Sequence, residues 1–483
     1  MSEGTGADGG EGLPNIVKIE LPAEVHTAGG VPITVVAEHT TSVRVRLDGV
    51  EVGPLEDVGF ETFMGALVVK GAVDNGDRTV EVIASNGTDE DSEITGFAVS
   101  VPAPGTLGWG VSGPVGGFTN RVALTPEGDV VEGGVRMVAG AERPTVRKLS
   151  GVDGDELWLE PMLVGGLKGA VADVAVAPDG GLWVAMNVME ENNKVAAHIV
   201  LLTPDGFATG VEYVESAGYS VRAIAADASG GCFAAGVAAV VGGDDLTDVA
   251  YWRVGADHVQ QFEKTWDYVP PGSLAHTFSE DVRDVVVNGS VATLVGMRAG
   301  KEQKDEKPLM RGMVVRVDIN TGEVVGPVGV APADGVYTQS MFYGGGLHPD
   351  GVLTTGFGCN AACDVRRIEA SLYTPAGVRA WHQPEMPADG AYGLDVVGDS
   401  QGRVVVTGAS KQGGVYRGQV FARRLGEVVV PEEDAPVWQY WFQASKEASE
   451  GRGVVADKYD RIFAGGFVTV GGKPQAKLLR FQP

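Results

Sequence analysis

"DVAVAPDGGLWVAM", residues 173–186, reads as a short strand, a tight turn at Asp179-Gly180-Gly181, and a second strand carrying Trp183. The same hairpin recurs along the chain. "RVALTPEGDVVEGG" (121–134) precedes it, and "AIAADASGGCFAAG" (223–236) follows. A shortened copy, "DVVVNGSVATLVGM" (284–297), comes next, then "GGGLHPDGVLTTGF" (344–357), "DVVGDSQGRVVVTG" (395–408) and "GVVADKYDRIFAGG" (453–466). The turn positions Gly128, Gly180, Gly230, Gly289, Gly351, Gly402 and Asp460 lie 50 to 62 residues apart. Four short strands fit in each interval, and no long amphipathic helical pattern interrupts them. Such a period belongs to the blades of a propeller rather than to a helical solenoid.

The second half of each interval supports this reading. "AAHIVLLTPDG", "DVAYWRVGADH", "GMVVRVDINTGE", "EASLYTPAGVRAW" and "GQVFARRLGEVV" each read as a third strand and a turn leading into a fourth. Trp158, Trp266, Trp381 and Trp438 fall at or after that fourth strand, where an aromatic fills the space between neighbouring sheets. Seven hairpins give seven blades. The last repeat runs out after "AKLLRFQP", so its fourth strand is expected from 106–113, "TLGWGVSG", which would protect both terminal edges.

Residues 16–100 form a separate unit. "IVKIELP", "VPITVVAE", "SVRVRLDGVEV", "GALVVKGAV", "RTVEVIASN" and "ITGFAVSVP" alternate as strands do, with turns at Gly29-Gly30, Asp48-Gly49 and Asn75-Gly76. About seven short strands in this length suit a two-sheet sandwich. The expected organisation is a flexible acidic leader at 1–14, a sandwich at 15–101, and a propeller at 102–483. The "VxVxLDGxxV" strands resemble the immunoglobulin-like modules attached to bacterial surface proteins, without the Cys…Trp…Cys signature of true immunoglobulin domains. The "VAxxPDGxxxVxG … xRLxPDG" repeat resembles the propeller repeats of bacterial secreted proteins and lipoproteins, many of them myxobacterial. The fold class implied is all-β: an immunoglobulin-like β-sandwich followed by a seven-bladed β-propeller. Those families imply no particular activity.

Bulk composition sets limits on partners. A chain of 483 residues with 72 glycines and a net charge of −27 presents a solvated acidic surface that repels nucleic acid and anionic membrane. No run of 18 apolar residues is present, so no transmembrane segment is expected. The opening "MSEGTGADGGEGLPN" lacks the basic and apolar parts of a signal peptide. It resembles the tether that follows the lipidated cysteine of surface lipoproteins, although that cysteine is absent. A cell-envelope or extracellular location, with a lipid anchor if upstream sequence was removed, stands beside a cytoplasmic one.

Recognisable catalytic motifs are missing. The seven histidines are scattered, and the HExxH, phosphate-loop and nucleophile-elbow patterns do not occur. His276 and His348 are the two histidines positioned near one end of a propeller. Three connections rich in aromatics supply a candidate ligand-binding set: Trp266, Tyr268 and His276 from 263–278, Tyr337 and Tyr343 from 336–346, and Tyr440 and Trp441 from 436–450, with His348 added. Cys359 and Cys363 are spaced for a small disulfide loop in an oxidising compartment; free thiols or a two-thiolate metal site are the rival readings, and Cys232 is expected as a buried thiol. Structural calcium is the cofactor considered, at "VDGDE" (152–156), "GGDDLTD" (242–248) or "NGTDEDSE" (86–93), none of which matches a standard calcium loop. The expected function is non-catalytic: binding a protein or glycan at the cell surface. A propeller enzyme acting at the central channel, such as a lyase or glycan hydrolase, and an intracellular scaffold are the alternatives.

Overall fold

The structure is a computed structural model and describes residues 12–160, 168–190, 194–215, 218–240, 247–268, 278–300, 309–331, 338–360, 362–363, 365–384, 390–426, 436–442 and 447–483. The chain divides into two compact units, one built chiefly from residues 12–106 and the other from Leu107–Asp457 with Ile462–Arg480. Strands dominate, and the helical element among the described residues is a three-residue 3-10 turn at Ala72–Asp74.

The first unit is a two-sheet sandwich. Gly29–Glu38 and Thr62–Val69 pair centrally in a four-stranded sheet. Gly76–Ser85 lies between Ser42–Leu47 and Glu90–Val99 in a five-stranded one. Alternation does what its period requires: Val31, Ile33 and Val35 from the first sheet meet Val43, Val45, Val80 and Val82 from the second in one core. The described residues hold nine strands here, more than the seven or so read from sequence, because short edge pieces at Glu24–Val25 and Glu56–Gly59 add to the sheets.

The second unit consists, among the described residues, of seven four-stranded antiparallel sheets. Six of them follow chain order. Their first strands are Phe118–Leu124, Lys168–Val176, Tyr219–Ala226, Phe278–Asn288, Gln339–His348 and Tyr392–Gly398. The seventh begins at Ser449–Ala456, continues through Ile462–Val470 and Lys473–Phe481, and ends with Leu107–Val115 as its outermost strand. Each first strand lies beside the first strand of the next sheet, and the seventh beside the first. The unit is therefore a β-propeller with its first strands grouped around a common centre.

The opening hairpin shows why both faces of such a sheet are apolar. Leu182, Val184, Met186 and Val188 pack on Val131 and Val146 of the first sheet. Trp183 and Ala185 point the other way, onto Val221, Ile224 and Trp252 of the third. Trp183 is fully buried, and its indole N–H donates to the Gly230 carbonyl (3.0 Å). Trp158, Trp266, Trp381 and Trp438 all stand in outermost strands. The hairpin turns need a left-handed backbone, and all seven turn positions have it, from φ 58° at Gly289 to φ 149° at Gly351, with Asp460 at φ 61°. Cys359 and Cys363 are joined in a disulfide, and Cys232 is buried.

Candidate functional site

Every one of the seven first strands carries one β-bulge. The register slips between Thr119 and Arg121, Val171 and Asp173, Val221 and Ala223, Val282 and Asp284, Phe342 and Gly344, Gly393 and Asp395, and Gly451 and Gly453. The extra residues are Asn120, Ala172, Arg222, Arg283, Tyr343, Leu394 and Arg452. A bulge re-aims the inserted side chain away from the sheet, and all seven line one cavity of about 380 Å³, together with Arg121, Ala170, Asn187 and Glu450. In six sheets the residue preceding the bulge faces a glycine on the second strand. A Cβ at Gly236 would stand 2.0 Å from the Ser220 carbonyl oxygen, so the bulge leaves room for glycine alone there. The second sheet has Met186 instead.

Of the residues that follow the bulges, Arg121 lines this cavity. Around the centre they read Arg121, Asp173, Ala223, Asp284, Gly344, Asp395 and Gly453. Each aspartate joins two sheets. Asp173 accepts from the Val174 and Ile224 amides (both 2.8 Å), Asp284 from Val285 (2.8 Å) and Gly345 (2.9 Å), and Asp395 from Val396 (2.9 Å) and Val454 (2.8 Å). Arg121 fills the centre. Its Nη1 donates to the Arg452 carbonyl (3.1 Å) and its Nη2 to the Arg283 carbonyl (3.3 Å), and it stands 3.6 Å from Asp284 and 3.9 Å from Asp173. Small residues in the third, fifth and seventh sheets make this approach feasible: a Cβ on Gly453 would lie 3.0 Å from the Arg121 Cα.

Burial works against the charge on Arg121, but Asp284, Asp395 and Asp173 overcome it and hold the guanidinium protonated. The aspartates feel the opposite pressure. Burial raises all three, and Arg121 only partly restrains it, so Asp173 is pushed up to about 7 and Asp395 to about 8. With both oxygens engaged by backbone amides, these carboxylates are structural staples.

Three of the seven inserted residues are arginines, and they give the cavity a polar lining. Arg222 and Arg283 share one carboxylate, Asp281: Arg222 Nε is 3.8 Å from it and Arg283 pairs with it closely. Burial lowers the pKa of Arg222 against the pull of Asp281, and the neighbouring Arg283 guanidinium lowers it further. Arg452 pairs with Glu450 (2.8 Å) and donates to Asn120 Oδ1 (2.5 Å), lying over the Phe118 ring at 4.7 Å. Glu450 also accepts from the Tyr392 hydroxyl (2.8 Å). Three guanidiniums thus face two carboxylates, Asp281 and Glu450, in a chain whose net charge is −27. Asn120 and Asn187 are tied to the backbone of the adjacent sheets through Val171 and Val221.

Of the candidates chosen from sequence, Tyr343 is an inserted residue and lines the cavity, with Arg283 over its ring at 5.7 Å. Trp266 and Tyr268 lie together at the outer end of the third sheet, rings 5.9 Å apart. Tyr440 and Trp441 sit in the outermost strand of the sixth sheet, opposite Val420 and Gln419. His348 ends a first strand and accepts from the Asp350 amide in its own turn (3.1 Å). These residues therefore form separate groups instead of one patch, because outermost strands lie far across each sheet from the bulges. His276 and Tyr337 fall outside the described residues. The arginines were missed by sequence reading, although the repeat marks them: the inserted residue stands eight positions before the turn residue in six repeats and six before it in the shortened fourth.

No protein-family model matches the chain, and no curated protein sequence does. Among solved structures it is similar to the extracellular domains 1–2 of Drosophila semaphorin 1a, at 10% identity over 79% of this chain and 88% of that one, TM-score 0.48. It is also similar to the polysaccharide lyase Uly1, at 11% identity over 76% and 90%, TM-score 0.48. A third is the β-propeller domain of the Trilobed protease from Pyrococcus furiosus, at 8% identity over 76% and 94%, TM-score 0.45.

Proposed function

We propose that this chain is a binding protein of the bacterial cell envelope, whose seven sheets are the blades of a seven-bladed β-propeller and whose first unit is an immunoglobulin-like spacer. The ligand is an anionic glycan, with a uronate or sulfate group entering the channel mouth. The observation that carries this reading is the convergence of seven bulge residues on one cavity with arginine at three of them, Arg222, Arg283 and Arg452. Arginine donates in a planar fork matched to carboxylate and sulfate oxygens. Arg222 and Arg283 share a single carboxylate, which leaves donor capacity for an anion. Tyr343 adds an aromatic wall of the kind a sugar ring packs on.

Binding rather than turnover is favoured by the condition of the acids nearby. The raised carboxyls, Asp173, Asp284 and Asp395, each use both oxygens on backbone amides, and Glu450 holds Arg452 and Tyr392. A glycan array probed with the full chain tests the reading. Retention of uronate-containing or sulfated oligosaccharides over neutral ones, lost in Arg222→Ala/Arg283→Ala, is the expected result. Equal retention of neutral glycans by both proteins would contradict it, and cleavage of an acidic glycan during incubation would replace binding with lyase or hydrolase action.

A further inference from the structure

A second cluster of chemistry-bearing groups lies away from the channel, where the third sheet meets the fourth. Val249 and Trp266 pair at the end of the ladder joining the third and fourth strands of the third sheet, so Asp248 and Asp267 follow beside one another. Glu280 stands on the first strand of the fourth sheet, opposite Arg298 in the ladder. Thr247 fixes the two sheets at this point: its hydroxyl donates to the Glu280 carbonyl (2.7 Å) and bonds the Ser279 hydroxyl (2.8 Å). One carboxylate oxygen from each of Asp248, Asp267 and Glu280 lies within 4.8 Å of the others.

Proximity of three acids alone would be unremarkable on so acidic a chain. Glu280 is the discriminating group. It is 0% exposed, and neither carboxylate oxygen accepts a hydrogen bond. The Tyr268 amide and the Arg298 guanidinium, which lies over the Tyr268 ring at 4.7 Å, both act to lower the Glu280 pKa. A buried carboxylate without a partner is costly and must be protonated or joined by a cation. Burial, with Asp267 and Asp248 adding their charge, pushes the Glu280 carboxyl up to about 8.

We propose that Asp248, Asp267 and Glu280 bind a hard divalent cation, calcium by preference, which clamps the third sheet to the fourth. The three described ligands are all carboxylate oxygens, which suit calcium or magnesium better than zinc or copper. Calcium is the better fit of the two because it accepts irregular carboxylate geometry, with water completing its shell. Asp248 belongs to the "GGDDLTD" stretch singled out in the sequence, while its two partners come from stretches with no calcium signature.

Terbium titration of the chelator-stripped full chain tests this, because Trp266 and Tyr268 adjoin the site and sensitise terbium emission. Saturable emission displaced by calcium is expected, and calcium at millimolar concentration should raise the thermal midpoint by roughly 2–5 °C. Glu280→Gln should weaken terbium binding at least tenfold. Asp248→Asn, at a partly exposed position, should weaken it as well and guards against a folding defect in the first variant. Emission that calcium fails to displace, or binding unchanged in Asp248→Asn, would overturn the proposal. So would a Glu280→Gln protein more stable than the parent when neither responds to calcium, since that result would mark Glu280 as simply protonated.

Discussion

Arg121 and Asp284 stand 3.6 Å apart although they come from the first and fourth sheets, so one ion pair crosses the centre of the propeller. Asp173 and Asp395 complete the ring of carboxyls that holds the guanidinium charged. Removing the cation leaves three buried acids facing one another. Arg121→Met should therefore cost about 3 kcal/mol of stability near pH 7.5, as breaking a buried pair does. At pH 5.5, where the aspartates can take up protons, the loss should be clearly smaller. Urea denaturation of parent and variant at both pH values checks this; an equal loss at each would show that Arg121 acts by packing alone.

The raised carboxyls make stability itself depend on pH. Asp173 at about 7, Asp395 at about 8 and Glu280 at about 8 in the folded chain have ordinary values near 4 when unfolded. Between those limits the folded chain holds more protons, so stability falls as pH rises. The unfolding free energy, measured without added cation, should decline steadily from pH 5 to pH 8 and level off above. A rise across that window would mean that these groups are ionised at no cost.

The glycines opposite the bulges are the positions where one methyl group should matter most. In Gly236→Ala the new Cβ would meet the Ser220 carbonyl oxygen at 2.0 Å, and backbone has to move to admit it. The expected cost is roughly 2–4 kcal/mol. At Gly413, where a Cβ meets nothing within 4 Å, the same substitution should cost only the roughly 1 kcal/mol of a left-handed backbone. Thermal melts of the two variants give the comparison, and equal midpoints would contradict the account of the bulge.

Much of this architecture was readable because repeated turns need particular residues. Asp179-Gly180 and its counterparts announce a hairpin, and recurrence every 50 to 62 residues announces an array of sheets. The extra edge strands of the first unit were not readable, because Glu24–Val25 and Glu56–Gly59 are too short to show alternation. The site was harder for a different reason. Aromatic content drew attention to Trp266, Tyr268, Tyr440 and Trp441, but an aromatic in an outermost strand serves packing between sheets. Arg222, Arg283 and Arg452 stand far apart in the sequence. Only alignment of the repeats by their turns puts them in one column with Tyr343, and only the bulge explains why that column faces the channel.

The cysteines give a simple chemical check. The Cys359–Cys363 bridge closes a loop of a few residues, so its reduction should cost roughly 2 kcal/mol. Cys232 is buried with its thiol pushed far up by that burial. A thiol reagent should find no reactive cysteine in the native protein, one after denaturation, and three after denaturation and reduction. Two reactive thiols in the native protein would show Cys359 and Cys363 to be free.

The central claim, that Arg222, Arg283 and Arg452 form an anion-binding mouth, is most directly tested by calorimetric titration of a defined uronate oligosaccharide into the full chain. The account predicts saturable binding that weakens as salt is raised and falls at least tenfold in Arg222→Ala, with its neutral, carboxyl-reduced counterpart binding far less. Equal affinity for the charged and neutral oligosaccharides, unaffected by Arg222→Ala, would contradict it.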